Sequence, residues 1–441
     1  MSPLPYAVVV EGGEGMTAQQ VIDAIHGSYA LGSKRGLENV MYLVDALCPQ
    51  RRVPVIHVAG TNGKGSTCAM LESILRHAGY RTGLYTSPFL QAYQERIRIN
   101  GIPLSDDVMV RCGELLLEAS ARLTKETGSH ATPFELGTAL AFAAFESEQV
   151  DIAIVEVGMG GRLDPTNFVQ PLVCAIGAIG LDHMAYLGTT LAEVAAEKAG
   201  IIKTGVPVVC HPADDGVAAV FRRAAEEKHA PLRQMHTGMI HSAKSDLYGS
   251  TATYELDQSW RDMRIPLPGE HQLTNALTVL GVVEELQAQG FHLPQDAVRR
   301  GMEAAVWPAR LEWCGRVLID GAHNPQGVEA LNRYVSRHLQ PRRRVLLTGV
   351  LADKVQPEML TMLAEMADAA VTVTPVNPRA MEAQELAGRL NELGGNAQAA
   401  SSLSEGLHMA RRLAGDDGVV IAAGSLYFAG SLRTELGLTW R

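Results

Sequence analysis

Positive charge, long apolar runs and paired cysteines are all in short supply in this sequence. Its 441 residues include 38 Lys and Arg against 48 Asp and Glu, which gives a formal net charge of −10. An acidic surface repels nucleic acid and anionic membranes, so we expect neither as a partner, and any anionic ligand must be held by a local site. No apolar run approaches the ~20 residues of a membrane span.

Two further absences indicate the cellular compartment. Residues 1–15 carry no basic residue ahead of their short apolar run and do not resemble a signal peptide. The six cysteines lie apart without a CxxC pair, which is typical of reduced thiols in a cytoplasmic protein. Because 46% of the residues are hydrophobic, a disordered chain is excluded as well. We therefore expect a cytoplasmic globular protein of two or three domains, at ~100–200 residues each.

Short β-branched runs alternate with segments of helical spacing along most of the chain. Apolar residues from Met70 to Ala78 mark one helix face, and Gly79 stands where that helix would end. A second such face runs from Val279 to Leu286. Buried strands that alternate with helices predict βαβ units around a mostly parallel sheet. The predicted strands are Val53–Val58, Asp151–Val157, Val206–Cys210, Val317–Asp320, Val345–Val350 and Val419–Ala422.

The domain boundary is predicted at Val306–Arg310 (VWPAR), where a proline follows a helical stretch, Asp296–Ala305. We predict an α/β fold with a larger domain over residues 1–305, a linker over 306–310 and a smaller α/β domain over 311–441. One continuous sheet across both parts is the alternative, because periodicity does not distinguish the two arrangements.

The sharpest motif is HVAGTNGKGST, His57 to Thr67. A buried strand runs into a glycine-rich turn, and an amphipathic helix follows at once. Glycines let backbone N–H groups turn inward, the helix N-terminus adds positive dipole, and Lys64 adds a full charge toward terminal phosphates. The motif departs from the general GxxxxGK[ST] pattern, since it is shorter before Gly63 and Gly65 precedes Ser66. The order of strand, nest, lysine and helix predicts a site for a nucleoside triphosphate.

Three residues are candidates for a metal site. Glu156 ends a predicted buried strand, at the edge where α/β sheets place ligands, and is either a Mg²⁺ ligand or a surface carboxylate. His183 follows another apolar run, but Mg²⁺ prefers oxygen ligands, so hydrogen bonding is the plainer role. Lys198, considered without further information, is a surface lysine whose stem lies along a helix.

The motifs together resemble the folylpolyglutamate synthase/dihydrofolate synthase family, a branch of the Mur-type ATP-dependent amide ligases. The ordered series covers nearly the whole chain. Its blocks are GLEN (36–39), HVAGTNGKGST (57–67), YTSPFLQAYQERIRING (85–101), TPFELGTALAF (132–142), EVGMGGRLDPTN (156–167), GLDHMAYLG (180–188), EKAGIIK (197–203), GEHQLTNA (269–276), WPARLE (307–312) and DGAHNP (320–325).

The resemblance implies a P-loop N-terminal domain with a mostly parallel sheet and a smaller Rossmann-like C-terminal domain. It implies that Lys64, Lys198 and His323 are catalytic, and that Lys198 is carbamylated and supports a second metal. It also implies three sets of binding residues. ATP would contact Gly60, Thr61, Asn62, Gly63, Lys64, Gly65, Ser66, Asn275, Arg310 and Asp320; Mg²⁺ would contact Ser87, Glu156, His183 and Lys198; the pterin would contact Thr132, Phe134, Glu135 and Asp164.

The implied reaction joins L-glutamate to a carboxylate that ATP has activated as an acyl phosphate. The acceptor would be dihydropteroate, a reduced folate that already carries glutamate, or both. The resemblance implies ATP and two Mg²⁺ sites, allows a monovalent cation such as K⁺, and implies a monomer. Phe89 departs from the family, in which a histidine often follows the Ser-Pro pair of the serine block.

The sequence argues against two other functions. A peptidoglycan-building Mur ligase carries a nucleotide-sugar-binding domain ahead of the phosphate loop, and about 59 residues before Gly60 are too few for one. A nucleotide-dependent binding module without catalysis would not need Glu156, His183 and Lys198. We expect a ligase, whether it performs one or both of the synthase reactions.

Overall fold

The computed structural model of the chain describes residues 15–28, 36–49 and 53–440. The N-terminal run that we compared with a signal peptide lies, up to residue 14, outside the described residues. Within the described part, no helix is both long and apolar enough to cross a membrane.

The described residues form α-helices and β-strands, which alternate for most of the chain. The helices are α1 (Ala18–Gly27), α2 (Glu38–Leu47), α3 (Lys64–His77), α4 (Asp106–Thr127), α5 (Pro133–Ser147), α6 (Met184–Leu187), α7 (Leu191–Ala199), α8 (Asp215–Glu227), α9 (His271–Ala288), α10 (Gln295–Glu303), α11 (Pro325–His338), α12 (Pro357–Glu365), α13 (Ala383–Glu392), α14 (Leu403–Ala414) and α15 (Leu426–Glu435). The strands are β1 (Val55–Ala59), β2 (Thr82–Tyr85), β3 (Ile97–Ile99), β4 (Ile102–Pro103), β5 (Ile152–Glu156), β6 (Val173–Ile176), β7 (Val208–Cys210), β8 (Leu232–Gln234), β9 (Ile240–Asp246), β10 (Gly249–Glu255), β11 (Ser259–Ile265), β12 (Glu312–Cys314), β13 (Val317–Ile319), β14 (Arg344–Thr348), β15 (Ala369–Thr372), β16 (Ala397–Ala399) and β17 (Val419–Ala423).

The largest sheet has the strand order β4-β3-β2-β5-β1-β6-β7-β8. Six of its strands are parallel, and β3 and β4 add an antiparallel edge. Strand β1 pairs with β5 on one side and β6 on the other, so the loops after these three strands meet at one edge of the sheet. The predicted mostly parallel sheet is confirmed.

Helix α3 differs from its prediction. We expected one apolar face between Met70 and Ala78, but α3 is buried on all sides from Gly65 to Leu75. Helices α9 and α10 cover it, and α10 approaches closely because Gly301 lies against the backbone of Ile74. The helix does end before Gly79, as predicted. The glycine-rich turn before α3 is therefore joined to a helix that is packed on all sides.

A small antiparallel sheet, with the order β11-β10-β9, was not predicted. Its inner face is buried through Tyr254, Trp260 and Met263, which join the core cluster that contains α3 and α9. The Trp260 indole donates to the Glu284 carboxylate on α9 at 2.9 Å. This sheet therefore braces α9, the helix that carries Asn275.

The third sheet contains the strands β12-β13-β17-β14-β15-β16, parallel except for β12. Its strands pair only with one another among the described residues, so the alternative of one continuous sheet is wrong. The Val306–Arg310 segment connects α10 to β12. The domain limits 1–305 and 311–441 stay a prediction. Each of the six predicted strands is present, and no end differs from its predicted position by more than two residues.

Candidate active site

One cavity of about 960 Å³ lies between the two α/β parts and contains every residue that the sequence nominated. Its N-terminal wall includes the loops that follow β1, β5 and β6, and its other wall includes the loops after β13, β14 and β17. Both walls are the carboxyl ends of parallel strands, where α/β proteins bind ligands. The arrangement places a substrate between the two domains.

The phosphate loop leaves β1 at Gly60 and enters α3 at Lys64. The Lys64 ammonium donates to the carbonyl oxygens of Gly60 and Thr61, at 3.1 and 3.2 Å, so it curls over the loop. Ser66 is buried, and its hydroxyl accepts a hydrogen bond from Gln272 on α9 at 3.2 Å. The loop thus lines the cavity together with one cationic side chain, Lys64.

The glycine that interrupts the general pattern has a packing reason. A Cβ atom on Gly65 would come within 2.7 Å of the Trp307 indole, which belongs to the segment between the domains. Only glycine permits this contact, because the opposing atoms belong to a rigid ring. Gly65 therefore couples the phosphate loop to the interdomain segment, which the sequence did not show.

Glu156 ends β5 and is buried at the cavity wall, so it is not the surface carboxylate of the plainer interpretation. The backbone N–H of Ser87 donates to its Oε2 atom at 2.9 Å. Burial raises the pKa of Glu156, and the charge of Lys64 opposes that rise. A buried carboxylate that faces a lysine and a serine suits a cation shared with the phosphates of a nucleotide.

Lys198 is buried rather than exposed, which makes the surface-lysine interpretation wrong. Its ammonium donates to the Gly60 carbonyl at 2.9 Å. Burial, followed by the neighbouring charge of Lys64, lowers the pKa of Lys198 to about 7. An amine of that pKa is available in its neutral form near neutral pH, and the neutral form is the one that captures CO₂.

His183 directly precedes α6 as its N-cap residue and contacts the C-terminal wall. Its Nε2 atom lies 3.0 Å from the Lys354 ammonium, and Lys354 also donates to Asp182 at 2.5 Å. Although burial opposes ionisation, the hydrogen bond and charge of Lys354 hold the pKa of Asp182 well below its usual range. Lys354 was missed by the sequence argument, since an isolated lysine in a loop carries no motif signal.

The residues fit Mg²⁺ unequally. Glu156 and the Ser87 hydroxyl supply hard oxygen ligands beside the phosphate loop, which suits one Mg²⁺ ion bound together with a nucleotide. The other two predicted ligands fit less well: His183 offers a nitrogen to the same Mg²⁺, and Lys198 supplies an oxygen for the second metal only if it is carbamylated. The His183 nitrogen also faces Lys354 in the described geometry. We keep both metal sites as predictions.

The segment nominated for the pterin begins α5. The Thr132 hydroxyl accepts from the N–H of Glu135, and the Glu135 carboxylate accepts from the N–H of Thr132, at 3.2 and 2.7 Å. This reciprocal pair is a capping box, which satisfies two free donors at the helix start. Both residues also line the cavity. Because they form the capping box, they fix the turn that carries Phe134.

Phe134 is half-buried, with one side on the core and one side on the cavity. Its ring lies 6.0 Å from that of Tyr85, and the Arg96 guanidinium lies 5.4 Å from its centroid. Core packing and a cavity-facing aromatic surface are therefore both present. Phe89 packs on the same core, with its ring 5.9 Å from that of Tyr93.

Asp164 is buried and held by the chain's own donors. Its Oδ2 atom accepts from the N–H of Met159 at 2.8 Å, and its Oδ1 atom accepts from the Thr166 hydroxyl at 2.5 Å. His57 lies 2.9 Å from that hydroxyl and extends the chain of hydrogen bonds into the core. Because the hydroxyl proton goes to the carboxylate, the His57 Nε2–H must be a donor. Burial raises the pKa of Asp164.

The residues that the resemblance assigns to ATP come from both α/β parts and line the same cavity. Asn275 lies against Gly63 and donates to Gln272 at 2.9 Å. The Asp320 carboxylate accepts from the backbone N–H groups of Leu311 and Ala322, both at 2.8 Å, and so fixes the loop next to Arg310.

His323 and Asn324 continue this wall. Burial lowers the pKa of His323 to about 4, so the ring is neutral at pH 7. Its Nδ1 atom donates to the Gly321 carbonyl at 2.8 Å, which leaves Nε2 as an acceptor. The Asn324 amide pairs with Asn62 of the phosphate loop at 3.0 Å, a contact across the domains that the sequence did not predict.

Comparison with known proteins gives consistent matches. The Mur ligase middle domain matches residues 58–283, and the Mur ligase, glutamate ligase domain matches residues 309–426. The chain is 35% identical over 420 residues to the dihydrofolate synthase/folylpolyglutamate synthase of Bacillus subtilis, which covers 93% of this chain and 97% of that relative. It is 32% identical over 402 residues to the protein of the same name from Escherichia coli, with 89% of each chain covered.

Two solved structures are similar over almost the whole chain. Mycobacterium tuberculosis folylpolyglutamate synthase complexed with ADP superimposes with a TM-score of 0.87 at 32% identity, over 96% of this chain and 99% of that one. E. coli FolC in complex with DHPP and ADP superimposes with a TM-score of 0.84 at 28% identity, over 96% and 98% of the two chains.

Proposed function

Because the chain belongs to the folylpolyglutamate synthase/dihydrofolate synthase family of Mur-type ligases, it is an ATP-dependent ligase that adds glutamate to folates, and we propose that it accepts dihydropteroate as well. The observation that supports this proposal is the single cavity. It brings the phosphate loop, the carboxylate Asp164 and the aromatic ring of Phe134 together with Arg310 and His323 of the C-terminal part.

We propose that the acceptor's carboxylate oxygen attacks the γ-phosphorus of ATP, that ADP leaves, and that an acyl phosphate forms. Lys64 lies at the start of α3 and neutralises charge on the transferred phosphoryl group, together with the dipole of that helix. Mg²⁺, when held by Ser87 and Glu156, would supply further neutralisation of the phosphates. Arg310 approaches from the opposite wall.

The glutamate amine then attacks the acyl carbon, and inorganic phosphate leaves the tetrahedral intermediate. Glutamate brings two carboxylates, so its site needs cations. Lys354 and Arg379 both line the cavity on its C-terminal side, and Lys354 donates to Asp182 of the N-terminal side. We propose that they bind glutamate, with Lys354 exchanging its Asp182 partner for a substrate carboxylate. Enclosure between the two domains keeps water from the acyl phosphate.

The pterin site is proposed around Asp164 and Phe134. The ring of Phe134 offers a flat face for stacking, and a carboxylate matches the amino and N–H donors of a pterin edge. Asp164 is oriented by Met159 and Thr166, which gives it one direction relative to the cavity. The pterin ring of the acceptor would therefore be recognised by directional hydrogen bonds as well as by burial.

The deciding experiment is an ADP-release assay with L-glutamate and either dihydropteroate or tetrahydrofolate. We expect turnover with both acceptors. Turnover with tetrahydrofolate alone would reject the dihydropteroate half of the proposal. Asp164→Ala should lower kcat/KM for both acceptors, and unchanged values would reject the assignment of the pterin site. Turnover of ATP alone, without an acceptor, is the control for uncoupled hydrolysis.

We also propose that the enzyme acts as a cytoplasmic monomer. All six cysteines are free thiols, and five of them are buried. This usage suits a reducing compartment, since nothing in the fold depends on a disulfide among the described residues. Light scattering on a sizing column should return a mass near 47.4 kDa, and a mass near twice that value would contradict the proposal.

A further inference from the structure

A cluster of one cation and two indoles joins the domains away from the reacting atoms. Arg98 on β3 is 5% exposed. Its guanidinium carbon lies 3.5 Å from the ring centroid of Trp440 and 4.6 Å from that of Trp307. The two indoles contact each other edge to face, with centroids 5.7 Å apart. Cation–π attraction is strongest for a desolvated cation, so this buried arginine is held by both rings.

A second set of contacts ties segment 430–440 to the loop that begins at Ser87. The Gln91 side-chain amide donates to the Leu438 carbonyl at 2.8 Å, and Arg433 donates to the Gln91 oxygen at 3.2 Å. Gly430 permits a close backbone approach, because a Cβ atom there would lie 1.9 Å from the Leu90 carbonyl oxygen. Arg433 is buried and also donates to the Thr439 carbonyl at 3.1 Å.

Both sets of contacts lead to the proposed ATP site. The Trp307 indole rests on Gly65 of the phosphate loop. Segment 430–440 contacts the loop that starts at Ser87. The backbone N–H of Ser87 donates a hydrogen bond to the Glu156 carboxylate. The ring contacts of Trp440 are with Arg98 and Trp307, and Trp307 connects them to the phosphate loop. Loss of its ring would leave Trp307 with one fewer neighbour and Arg98 with an open face.

We propose that Trp440 is a positioning residue for the nucleotide: with Arg98, it holds Trp307 on the phosphate loop and thereby sets the affinity for ATP. The inference rests on the assignment of residues 60–66 to ATP. It extends that assignment to a side chain that lies 374 positions after Ser66 in the sequence (440 − 66). If Trp440 had a purely structural role, its replacement would lower the stability of the protein without changing the affinity for the nucleotide.

The test compares Trp440→Ala, Trp440→Leu and Trp440→Phe by calorimetric titration with Mg·ADP and by steady-state kinetics. We expect Trp440→Ala to raise the Kd for ADP and the KM for ATP about tenfold. The KM for tetrahydrofolate should stay within twofold of the wild-type value. Phenylalanine, which retains an aromatic face, should restore most of the affinity, whereas leucine, which retains only apolar bulk, should not.

Thr439→Ala is the matched control, because the Thr439 side chain is exposed and only its backbone carbonyl serves Arg433. It should behave as wild type. A Trp440→Ala protein that is less heat-stable but binds ADP with wild-type affinity would overturn the inference. Equal ADP affinities of Trp440→Leu and Trp440→Phe would also overturn the inference. This comparison decides the question even if Trp440→Ala does not fold. Failure of the wild type to bind ADP would instead reject the ATP assignment itself.

Discussion

Lys64 and Lys198 donate to the same carbonyl oxygen, that of Gly60, at 3.1 and 2.9 Å. Two ammonium groups on one acceptor repel each other, and burial together with the charge of Lys64 lowers the pKa of Lys198. We therefore propose different roles for the two lysines. Lys64 would bind the phosphates of ATP, while Lys198, whose pKa is lowered to about 7, would react with CO₂.

Replacement of Lys64 by alanine should reduce ATP turnover by about 100-fold or more, because it removes the cation that the phosphate loop presents to the γ-phosphate. The fold should survive, since the ammonium contacts only carbonyls of its own loop. ADP release measures the first effect and circular dichroism the second. Lys244→Ala, an exposed lysine on β9, is the control. Near-normal ADP release by folded Lys64→Ala protein would reject the assignment.

Carbamylation of Lys198 should depend on pH in a defined direction. Burial and Lys64 lower the pKa of this amine to about 7, so its neutral fraction rises as the pH rises through 7. In carbamylation the amine nitrogen bonds to the carbon of CO₂ and loses a proton to solvent. With ¹³C-bicarbonate, a carbamate NMR signal should therefore strengthen from pH 6 to pH 8.

The carbamate signal should vanish in Lys198→Ala and persist in Lys228→Ala, an exposed lysine. Removal of CO₂ should lower activity, and a short carboxylic acid should partly restore Lys198→Ala. Full activity of the wild type with an unmodified ammonium in adequate CO₂ would contradict the prediction.

Thr166 should influence the acceptor and leave ATP unaffected. Its hydroxyl links His57 to Asp164, so Thr166→Val removes a hydrogen bond to the carboxylate proposed to bind the pterin. We expect the KM for dihydropteroate to rise about tenfold, as for loss of one charge-assisted hydrogen bond, with the KM for ATP unchanged. Thr166→Ser keeps the hydroxyl and should retain most of the acceptor affinity. Equal defects in the two variants would point to packing instead.

Among the elements, those with continuous apolar runs could be predicted and those without them could not. Strand β5 is buried along its whole length, and its sequence is apolar throughout until Glu156. Strand β9 is exposed at most positions and carries little apolar pattern, so the β9–β11 sheet had no clear sequence signal. The buried face of this sheet could be recognised only in the folded structure, where the Trp260 indole donates to Glu284 on α9.

The N-terminus of helix α5 is capped by Thr132, a residue that the sequence analysis assigned to the pterin site. Thr132→Ala should lower the free energy of unfolding by about 1 kcal/mol, the usual effect of losing an N-cap. It should also raise the KM for the acceptor, because the same turn carries Phe134. Urea unfolding and kinetics measure the two effects, and Thr132→Ser should correct both. An unchanged unfolding free energy would show that the capping box contributes little.

At the scale of the whole molecule, the site exists because distant segments meet. Motif order identified most of its residues, since each block stands at the end of a strand or the start of a helix. Lys354 and Asn324 could not be predicted in this way. Lys354 pairs with Asp182 across 172 positions, and Asn324 pairs with Asn62 across 262. Only the relative placement of the two domains brings such pairs together, and no local pattern encodes it.

The Lys354–Asp182 pair should make the two domains unfold together. Both side chains are largely buried, with 14% and 11% exposure, and the ammonium lies 2.5 Å from the carboxylate. Lys354→Met keeps the stem but leaves Asp182 as a buried charge without its cation, a change that costs about 3 kcal/mol. Most of that cost falls on the interface, since Asp182 follows β6 in one α/β part and Lys354 follows β14 in the other. We expect one calorimetric transition in the wild type to become two in Lys354→Met.

The pH dependence gives an independent check on the same pair. Because Lys354 holds the pKa of Asp182 below its usual value of 3.8, the pair stabilises the molecule above pH 4, and that contribution is lost as the pH falls further. Wild-type stability should therefore decline more steeply than that of Lys354→Met as the pH is lowered below 4. Arg379→Met is the control for a general loss of charge in the cavity, since Arg379 pairs with Asp353 of its own domain. A single transition in Lys354→Met, with the acid sensitivity of the wild type, would show that the interface is held by other contacts, such as the indole cluster at Arg98.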